Sequence, residues 1–191
     1  KPSGIILSGG PMSVYDEDAP KIDPAIFELG IPILGICYGM QLVCYTKGGN
    51  VEPADNREYG KANIVIEDSS GLLKNVRSES VIWMSHGDII TEIPENFVIT
   101  SHTENSPFCS IENSEKNIYC LQFHPEVVHT EDGVKILNNF LFNICGCKGD
   151  WTPENFITTS IDEIKEKVGD AHVICATPSA SSLACTVPSS P

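Results

Sequence analysis

The sequence predicts an α/β fold in which a largely parallel central sheet is flanked by helices and extended by antiparallel strands. Two apolar runs, residues 4–7 and 31–37, have the length and composition of buried strands. Helical spacing of apolar residues follows each run, over residues 22–29 and 39–47. This alternation of strand and helix is typical of α/β domains with parallel strands.

The middle of the chain changes character. Five apolar segments with short polar connections predict antiparallel additions to the sheet, at residues 62–66, 81–84, 97–100, 108–111 and 118–123. Helical period returns over residues 132–144. Further along, Ser160 and Glu163 form a capping-box pattern for a helix that ends at Gly169. A last strand is predicted at 173–176.

The composition excludes two classes of function. The chain has 191 residues, with 12 basic and 26 acidic side chains and a formal charge of −14. Nucleic-acid binding requires clustered Lys and Arg, so this balance argues against it. No run of 18 apolar residues occurs, which argues against a membrane-spanning helix. The first residues show neither an initiator Met nor a signal peptide, and we expect them to be a cut edge.

The eight cysteines are not expected to form a disulfide framework. A chain of this length and apolar content does not need one, so we expect a reduced, cytosolic protein. Cys37, Cys44, Cys120 and Cys175 lie within apolar runs, where cysteine is usually a small buried residue. One of them can still carry chemistry.

Cys37 has the strongest signal for reactivity. It is flanked by Gly35 and Gly39, between a predicted strand and a predicted helix. In a G-x-nucleophile-x-G elbow, a sharp turn exposes the side chain at the end of the sheet, and the glycines remove steric conflict. The helix dipole is expected to favour the thiolate. The alternative is a buried core cysteine between two packing glycines.

A second candidate element contains His124, Pro125 and Glu126. Proline disfavours helical geometry at the preceding residue, and residues two apart in an extended segment project to the same side. His124 and Glu126 can therefore lie close together, as a general base and the carboxylate that orients it. The alternative is a strand end with incidental polar residues.

Two further segments are weaker candidates. Residues 8–11 (SGGP) follow the first strand, and their N–H groups could form an oxyanion site with that of Tyr38. An ordinary turn is the alternative. Residues 85–88 (SHGD) follow an apolar run and could bind the charged ends of an amino acid, although Asp88 could also only cap a turn. No histidine or cysteine spacing matches a strong zinc motif, so we expect no metal site.

These segments occur in the order oxyanion loop, cysteine elbow, SHGD and HPE. Together they resemble the class I (triad-type) glutamine amidotransferases, whose fold is flavodoxin-like. Over residues 2–176 the chain is similar to the amidotransferase half of the GMP synthases, through the strings GIILSGGP, LGICYGMQ, REYGKA, WMSHGD, LQFHPEVVHT and WTPENF. The joint set of motifs is highly specific, whereas a single motif would not be.

The resemblance implies hydrolysis of glutamine to glutamate and ammonia through a thioester. Cys37 would be the nucleophile, His124 the base and later the acid, and Glu126 the residue that orients His124. The implied oxyanion donors are Gly10 and Tyr38, and the implied glutamine-binding residues are Gln41, Ser85, His86 and Asp88. This step needs no cofactor. A synthetase domain in cis would then use the ammonia, with ATP and Mg²⁺, to convert XMP to GMP, and the intact enzyme could be a homodimer.

The resemblance also implies a fragment. The amidotransferase domain would span residues 1–147, a linker 148–159, and the start of an ATP-pyrophosphatase domain 160–176. The family's first strand and helix would precede Pro2, so we expect an exposed apolar edge and reduced stability. Residues 177–191 lack the glycine-rich ATP loop expected there, and we interpret them as a non-matching, disordered tail from a frameshift or truncated reading frame.

Other interpretations remain open at this stage. The chain could be the amidotransferase component of another glutamine-dependent synthase. It could be a catalytically silent fragment in which Cys37 is only structural. It could also be a redox-sensing cysteine protein of similar fold, although such a protein would need no His124–Glu126 pair.

Overall fold

Seven strands form one mixed sheet in the computed structural model, which describes residues 2–150, 152–169 and 171. In chain order they are β1 (Ile5–Leu7), β2 (Ile33–Ile36), β3 (Asn50–Ile66), β4 (Glu79–Glu92), β5 (Val98–His102), β6 (Ser110–Asn113) and β7 (Ile118–Leu121). Their spatial order is β1-β2-β7-β6-β5-β3-β4. Neighbours among β1, β2 and β7 pair in parallel, and all the other pairs are antiparallel. The predicted α/β class is confirmed, and its antiparallel part is extensive.

The strands β2 and β7 form the centre of the sheet. Every residue in both is buried, which is the pattern of strands covered on two faces. Along β7 the side chains alternate between two apolar clusters, one on each face of the sheet. We expected the segment at 118–123 to be an antiparallel addition. It is antiparallel to β6 but parallel to β2, which brings its end beside the Cys37 elbow.

Helices cover both faces of this sheet. The helix α1 (Tyr38–Thr46) contributes Met40, Val43 and Cys44 to one cluster. On the other face, α2 (Gly133–Asn138) continues as a π-helix (Asn139–Ile144) and contributes Ile136 and Phe140. The sequence predicted one regular helix over 132–144, whereas the structure has an α-helix that becomes a π-helix half way. The change begins at Asn139, whose side chain donates to the carbonyls of Leu72 and Lys74.

The helix predicted over residues 22–29 is only a 3₁₀-helix, Pro24–Glu28. Asp23 accepts a hydrogen bond from the Ala25 N–H at 2.9 Å and so fixes its start. Gly30, at a φ of +61°, follows its end. A second 3₁₀-helix, Gly71–Leu73, connects β3 to β4.

By its internal contacts the chain divides into two units, residues 1–147 and 148–191. The described part of the second unit is dominated by α3 (Pro153–Val168), which ends at Gly169 as predicted. Its N-cap is Thr152 rather than Ser160, because Thr152 accepts from the Asn155 N–H and Pro153 fits the first helical position. Residues 153–159, predicted as linker, are therefore helical. The predictions for residues 173–191 lie outside the described residues.

The cysteines in the described segments are free thiols. Cys44 and Cys120 are fully buried and Cys37 is 4% exposed, as predicted, whereas Cys175 lies outside these segments. No helix in the described part of the chain is long and apolar enough to cross a membrane.

Candidate active site

Cys37 lies on a sharp turn between β2 and α1. Its φ of +52° and ψ of −107° are unusual for a residue with a side chain, and its N–H donates to the Leu121 carbonyl at 2.7 Å. A Cβ on Gly35 would approach the Gly39 carbonyl to 2.8 Å, and one on Gly39 would approach the Leu7 oxygen to 2.0 Å. Both glycines are therefore required by close backbone packing, as the elbow pattern predicted.

The surroundings of Cys37 disfavour its thiolate form. Burial raises the pKa of the thiol to about 11, and the negative charges of Glu126 and Asp88 add to this effect. The Tyr38 N–H opposes it only in part. This direction of the pKa shift is opposite to the one expected from the helix dipole, and burial of the sulfur is its largest cause. The sulfur lies 3.6 Å from the Ser85 carbonyl oxygen.

His124 and Glu126 form the predicted pair. The Nδ1 atom of His124 lies 2.7 Å from a carboxylate oxygen of Glu126. An ionised carboxylate only accepts, so Nδ1 carries the proton and Nε2 is the basic nitrogen. Nε2 is buried and has no hydrogen-bond partner among the described residues. His124 lines the same cavity as Cys37.

Thr130 connects His124 to β4 through two hydrogen bonds. Its hydroxyl donates to the His124 carbonyl at 2.6 Å and accepts from the Trp83 N–H at 3.0 Å. The His124 N–H in turn donates to the Trp83 carbonyl at 3.0 Å. Sequence reasoning missed Thr130, because a threonine six residues beyond the histidine has no pattern that indicates this contact.

We expect Thr130→Val to lower kcat for the reaction that the sequence resemblance implies by about tenfold, whereas Thr130→Ser stays near the parent. Valine matches the shape of threonine but cannot make either hydrogen bond, so His124 loses its fixed position. Steady-state kinetics on folded samples measures this effect. Equal kcat values for the valine and serine variants would contradict the assigned role.

One open cavity of about 720 Å³ brings most of the predicted residues together. Seven of the nine predicted site residues line it: Gly10, Cys37, Gln41, Ser85, His86, Asp88 and His124. The other two lie beside it. Glu126 contacts His124, and the Tyr38 N–H follows Cys37 on the elbow. The sequence analysis did not include Ser13, Tyr15, Arg57 and Tyr59, which also line the cavity.

The predicted oxyanion loop faces the elbow. A Cβ on Gly9 would lie 2.9 Å from His124 Cε1 and 3.7 Å from Cys37 Cβ. A Cβ on Gly10 would lie 3.3 Å from the ring of Tyr38. The loop backbone therefore passes close to Cys37, His124 and Tyr38.

Two of the residues predicted to bind glutamine are already engaged by the protein. Gln41 donates from Nε2 to the Asp88 carbonyl and to Gln122 Oε1, each at 3.2 Å. His86 contacts the Asp88 carbonyl through Nδ1 at 2.8 Å and Glu58 through Nε2 at 3.2 Å. Neither His86 nitrogen is left for a ligand. These residues shape the wall of the cavity and fix the backbone at Asp88.

Asp88 itself holds a loop at the cavity. Its carboxylate accepts hydrogen bonds from Ser13 at 2.6 Å and from the Tyr15 hydroxyl at 2.8 Å. A carboxylate has about four lone-pair positions. These two hydrogen bonds therefore leave positions on Asp88 that could accept from a ligand ammonium group.

Glu58 is a buried carboxylate behind the cavity wall. It accepts from Ser106 at 2.7 Å and lies 3.2 Å from His86 Nε2. Burial raises its pKa, but the contacts with His86 and Ser106 outweigh burial and hold the pKa below its usual range. The REYG string contains this residue, yet nothing in the string indicates its partners, because they lie 28 and 48 positions away.

We expect Glu58→Gln to destabilise the protein by about 3 kcal/mol, since it removes the buried carboxylate that contacts both His86 and Ser106. The matched control is Glu67→Gln, which breaks the exposed Glu67–His102 pair and should cost less than about 1 kcal/mol. Urea unfolding at pH 7 measures both free energies. Equal costs for the two variants would contradict the importance of the buried pair.

The Glu58 pair also predicts a pH dependence. The folded-state pKa of Glu58 is lower than its unfolded value of 4.5, so its contribution is complete above that pH. It is lost as the pH falls through the folded-state pKa. Below pH 4.5 the stability of the parent should therefore fall more steeply than that of Glu58→Gln.

A cysteine on a strand–helix elbow, opposed by an oriented histidine with a free nitrogen, defines a site for nucleophilic catalysis by a thiol. The family of class-I glutamine amidotransferases matches residues 1–144, and the chain belongs to this family.

Similar proteins agree with this assignment. The chain is 58% identical over 174 residues to "GMP synthase [glutamine-hydrolyzing]" of Brachyspira hyodysenteriae, covering 91% of this chain and 34% of that protein. For the Acetivibrio thermocellus protein of the same name the identity is 57% over 175 residues, covering 92% and 34%. The chain thus spans about a third of the length of the curated relatives it matches.

Solved structures show the same fold. A GMP synthase component from Thermoplasma acidophilum superposes with a TM-score of 0.66 at 30% identity, covering 86% of this chain and 76% of that one. A glutamine amidotransferase of Thermotoga maritima superposes with a TM-score of 0.54 at 23% identity, covering 85% and 72%. The class I glutamine amidotransferase fold predicted from the motifs is therefore confirmed.

Proposed function

We propose that this chain is the glutaminase part of a GMP synthase and hydrolyses glutamine to glutamate and ammonia through a thioester on Cys37. The observation that carries the proposal is the His124–Glu126 pair, which leaves Nε2 of His124 unpartnered, among the described residues, in the cavity that contains Cys37. A structural cysteine would need no such base.

The proposed reaction begins with transfer of the Cys37 proton to His124 Nε2. Because the pKa of the thiol is raised to about 11, little thiolate is present at rest, and the thiolate forms when the proton passes to His124. The sulfur forms a bond to the carboxamide carbon of glutamine, and the carbonyl electron pair moves to oxygen. The N–H groups of Gly10 and Tyr38 stabilise this oxyanion.

Collapse of the tetrahedral intermediate breaks the C–N bond. The imidazolium of His124 gives its proton to the leaving nitrogen, and ammonia departs. Glu126 stabilises the positive charge on His124 in both steps. A water molecule, deprotonated by His124, then attacks the thioester, releases glutamate and returns the thiol to Cys37.

The cavity also offers groups for the amino-acid end of glutamine. Arg57 and Asp88 both line it and carry opposite charges, which suit the α-carboxylate and the α-ammonium group. Ser85 presents its carbonyl near Cys37, and Gln41 and His86 fix the neighbouring backbone. We infer that binding uses Arg57 and Asp88 directly and the other three residues mainly as support.

The ammonia would be used by a different domain of the enzyme. By resemblance to the GMP synthases, a synthetase domain in cis would activate XMP with ATP and Mg²⁺ and aminate it to GMP, in the cytoplasm and in an enzyme that could be a homodimer. The glutaminase step requires no cofactor. The match to about a third of each full-length relative supports this division of the reaction.

A graded loss of activity tests the proposed roles. We expect His124→Ala to lower kcat/KM for glutamine about 10³-fold or more, and Glu126→Ala about tenfold, since Glu126 orients the base and does not react. The matched control is His102→Ala, which removes a histidine that also faces a glutamate, but away from the cavity. Ammonia release measures all three. Equal losses for His124→Ala and His102→Ala would contradict the proposal.

A further inference from the structure

Gln122 is a buried side chain that the proposed reaction does not use. It directly follows β7 and is 1% exposed. Its N–H donates to the Cys109 carbonyl at 2.8 Å, and its Oε1 accepts from Gln41 at 3.2 Å. Nε2 is also buried, yet it has no hydrogen-bond partner within the described residues. Leaving a buried donor unsatisfied is costly, so its retention requires a reason.

The neighbours of Gln122 place it beside Cys37. The preceding residue, Leu121, accepts the Cys37 N–H at 2.7 Å. Gln41, which holds the oxygen of the Gln122 carboxamide, lies one helical turn after Cys37 and donates its own N–H to the Cys37 carbonyl. The Gln122 side chain is therefore fixed from two sides of the elbow. Its oxygen is bound to Gln41, and its NH₂ group has no partner among the described residues.

The electrostatics of the elbow agree with this position. Burial is the largest influence on the pKa of the Cys37 thiol and raises it, while the side chain of Gln122 lowers it. A neutral thiol is a weak acceptor, whereas a thiolate accepts strongly. A neutral NH₂ donor beside the sulfur would therefore gain a strong acceptor only when the proton of Cys37 moves to His124.

We propose that the carboxamide of Gln122 donates a hydrogen bond to the Cys37 sulfur when it becomes a thiolate, and that Gln122 is a positioning residue for this nucleophile. The role of Gln122 in catalysis rests on the proposed glutaminase function. The proton passes from Cys37 Sγ to His124 Nε2, and no covalent bond to Gln122 forms or breaks. Gln41 orients Gln122 by occupying its oxygen.

Alkylation of Cys37 by iodoacetamide, followed by peptide mass mapping, tests this proposal without glutamine. Removing the donor in Gln122→Met should reduce the thiolate fraction at pH 8 about tenfold. The less acidic sulfur is more nucleophilic, so the alkylation rate should fall about threefold. Gln122→Glu keeps the side-chain shape and the acceptor for Gln41 but adds negative charge. The alkylation rate of Cys37 should therefore fall further in this variant.

The matched control is Asn139→Leu, which removes a buried carboxamide that donates to Leu72 and Lys74 away from the elbow. It should lose stability without slowing Cys37 alkylation. Folded samples of both Gln122 variants that alkylate at the parent rate would overturn the proposal. If the Gln122 variants slow Cys37 alkylation as expected but the parent shows no glutaminase activity, only the proposed function is contradicted.

A second measurement needs no Gln122 variant. Gln41 and Gln122 are the two glutamines of the chain, so ¹⁵N labelling of glutamine side chains yields two carboxamide signals. Gln41→Met assigns them. As the pH is raised through ionisation of the thiol, we expect the Gln122 signal of the parent to shift and that of Cys37→Ala to stay constant. An unchanged Gln122 signal would overturn the proposal even where the Gln122 variants do not fold.

Discussion

Cys37→Ala is expected to abolish glutamine hydrolysis, with a loss of about 10⁴-fold or more, and to leave no covalent adduct after acid quenching with labelled glutamine. The thiol is the nucleophile in the proposed reaction, and no neighbouring side chain among the described residues can replace it in that position. Structurally, the change removes only the sulfur and its 3.6 Å contact with the Ser85 carbonyl. Stability should therefore change by about 1 kcal/mol or less.

The matched control for this prediction is Cys44→Ala. Cys44 lies on the same helix as the elbow and is fully buried, but it belongs to the apolar cluster under α1. It should keep its activity while losing a comparable amount of stability. Equal hydrolysis by Cys37→Ala and the parent would remove the proposed mechanism altogether.

Gly39→Ala is expected to cost about 3 kcal/mol or more of folding free energy. The added methyl group would lie 2.0 Å from the Leu7 carbonyl oxygen and 2.7 Å from its carbon. These are backbone atoms of β1, so neither a rotamer change nor a small side-chain movement relieves the overlap. The helix α1 must move away from the sheet, and Cys37 moves with it.

Urea unfolding measures this loss, and Gly87→Ala is the control. Its added methyl group meets only side-chain atoms, the nearest at 3.5 Å, an ordinary van der Waals distance. It should change stability by about 0.5 kcal/mol or less. Similar midpoints for Gly39→Ala and the parent would show that the elbow tolerates a wider helix–strand distance than the structure implies.

The elements that sequence reasoning predicted well are local ones. The Cys37 elbow depends on glycines two positions away on each side, and the His124–Glu126 contact on two residues either side of a proline. In both cases the chain geometry over five residues or fewer determines the result. The same holds for the apolar runs of β2 and β7, because burial on both faces leaves a continuous apolar pattern.

The contacts that it missed connect distant positions. Glu58 contacts His86, which is 28 positions away in the sequence, and Gln41 contacts Gln122, which is 81 positions away. Only the pairing of the strands brings these side chains together, and a single sequence contains no record of the order of strands in the sheet. The parallel pairing of β7 with β2 was missed for the same reason.

Two further differences reflect competition between effects of known sign. The helix N-terminus led us to expect a Cys37 thiolate, but burial of the sulfur raises the pKa of the thiol to about 11. Ser160 has the sequence of a helix N-cap, but Thr152 followed by Pro153 starts α3 earlier, and Ser160 lies inside the helix. In each case the sequence contains both influences without showing which is larger.

Covalent labelling with a diazoketone analogue of glutamine, followed by peptide mass mapping, tests the central claim most directly. Circular dichroism establishes that the sample is folded. If Cys37 is the nucleophile of a formed glutamine site, it should be labelled in preference to the other seven cysteines, and excess glutamine should prevent the labelling. Unselective labelling of a folded sample, unaffected by glutamine, would contradict the claim.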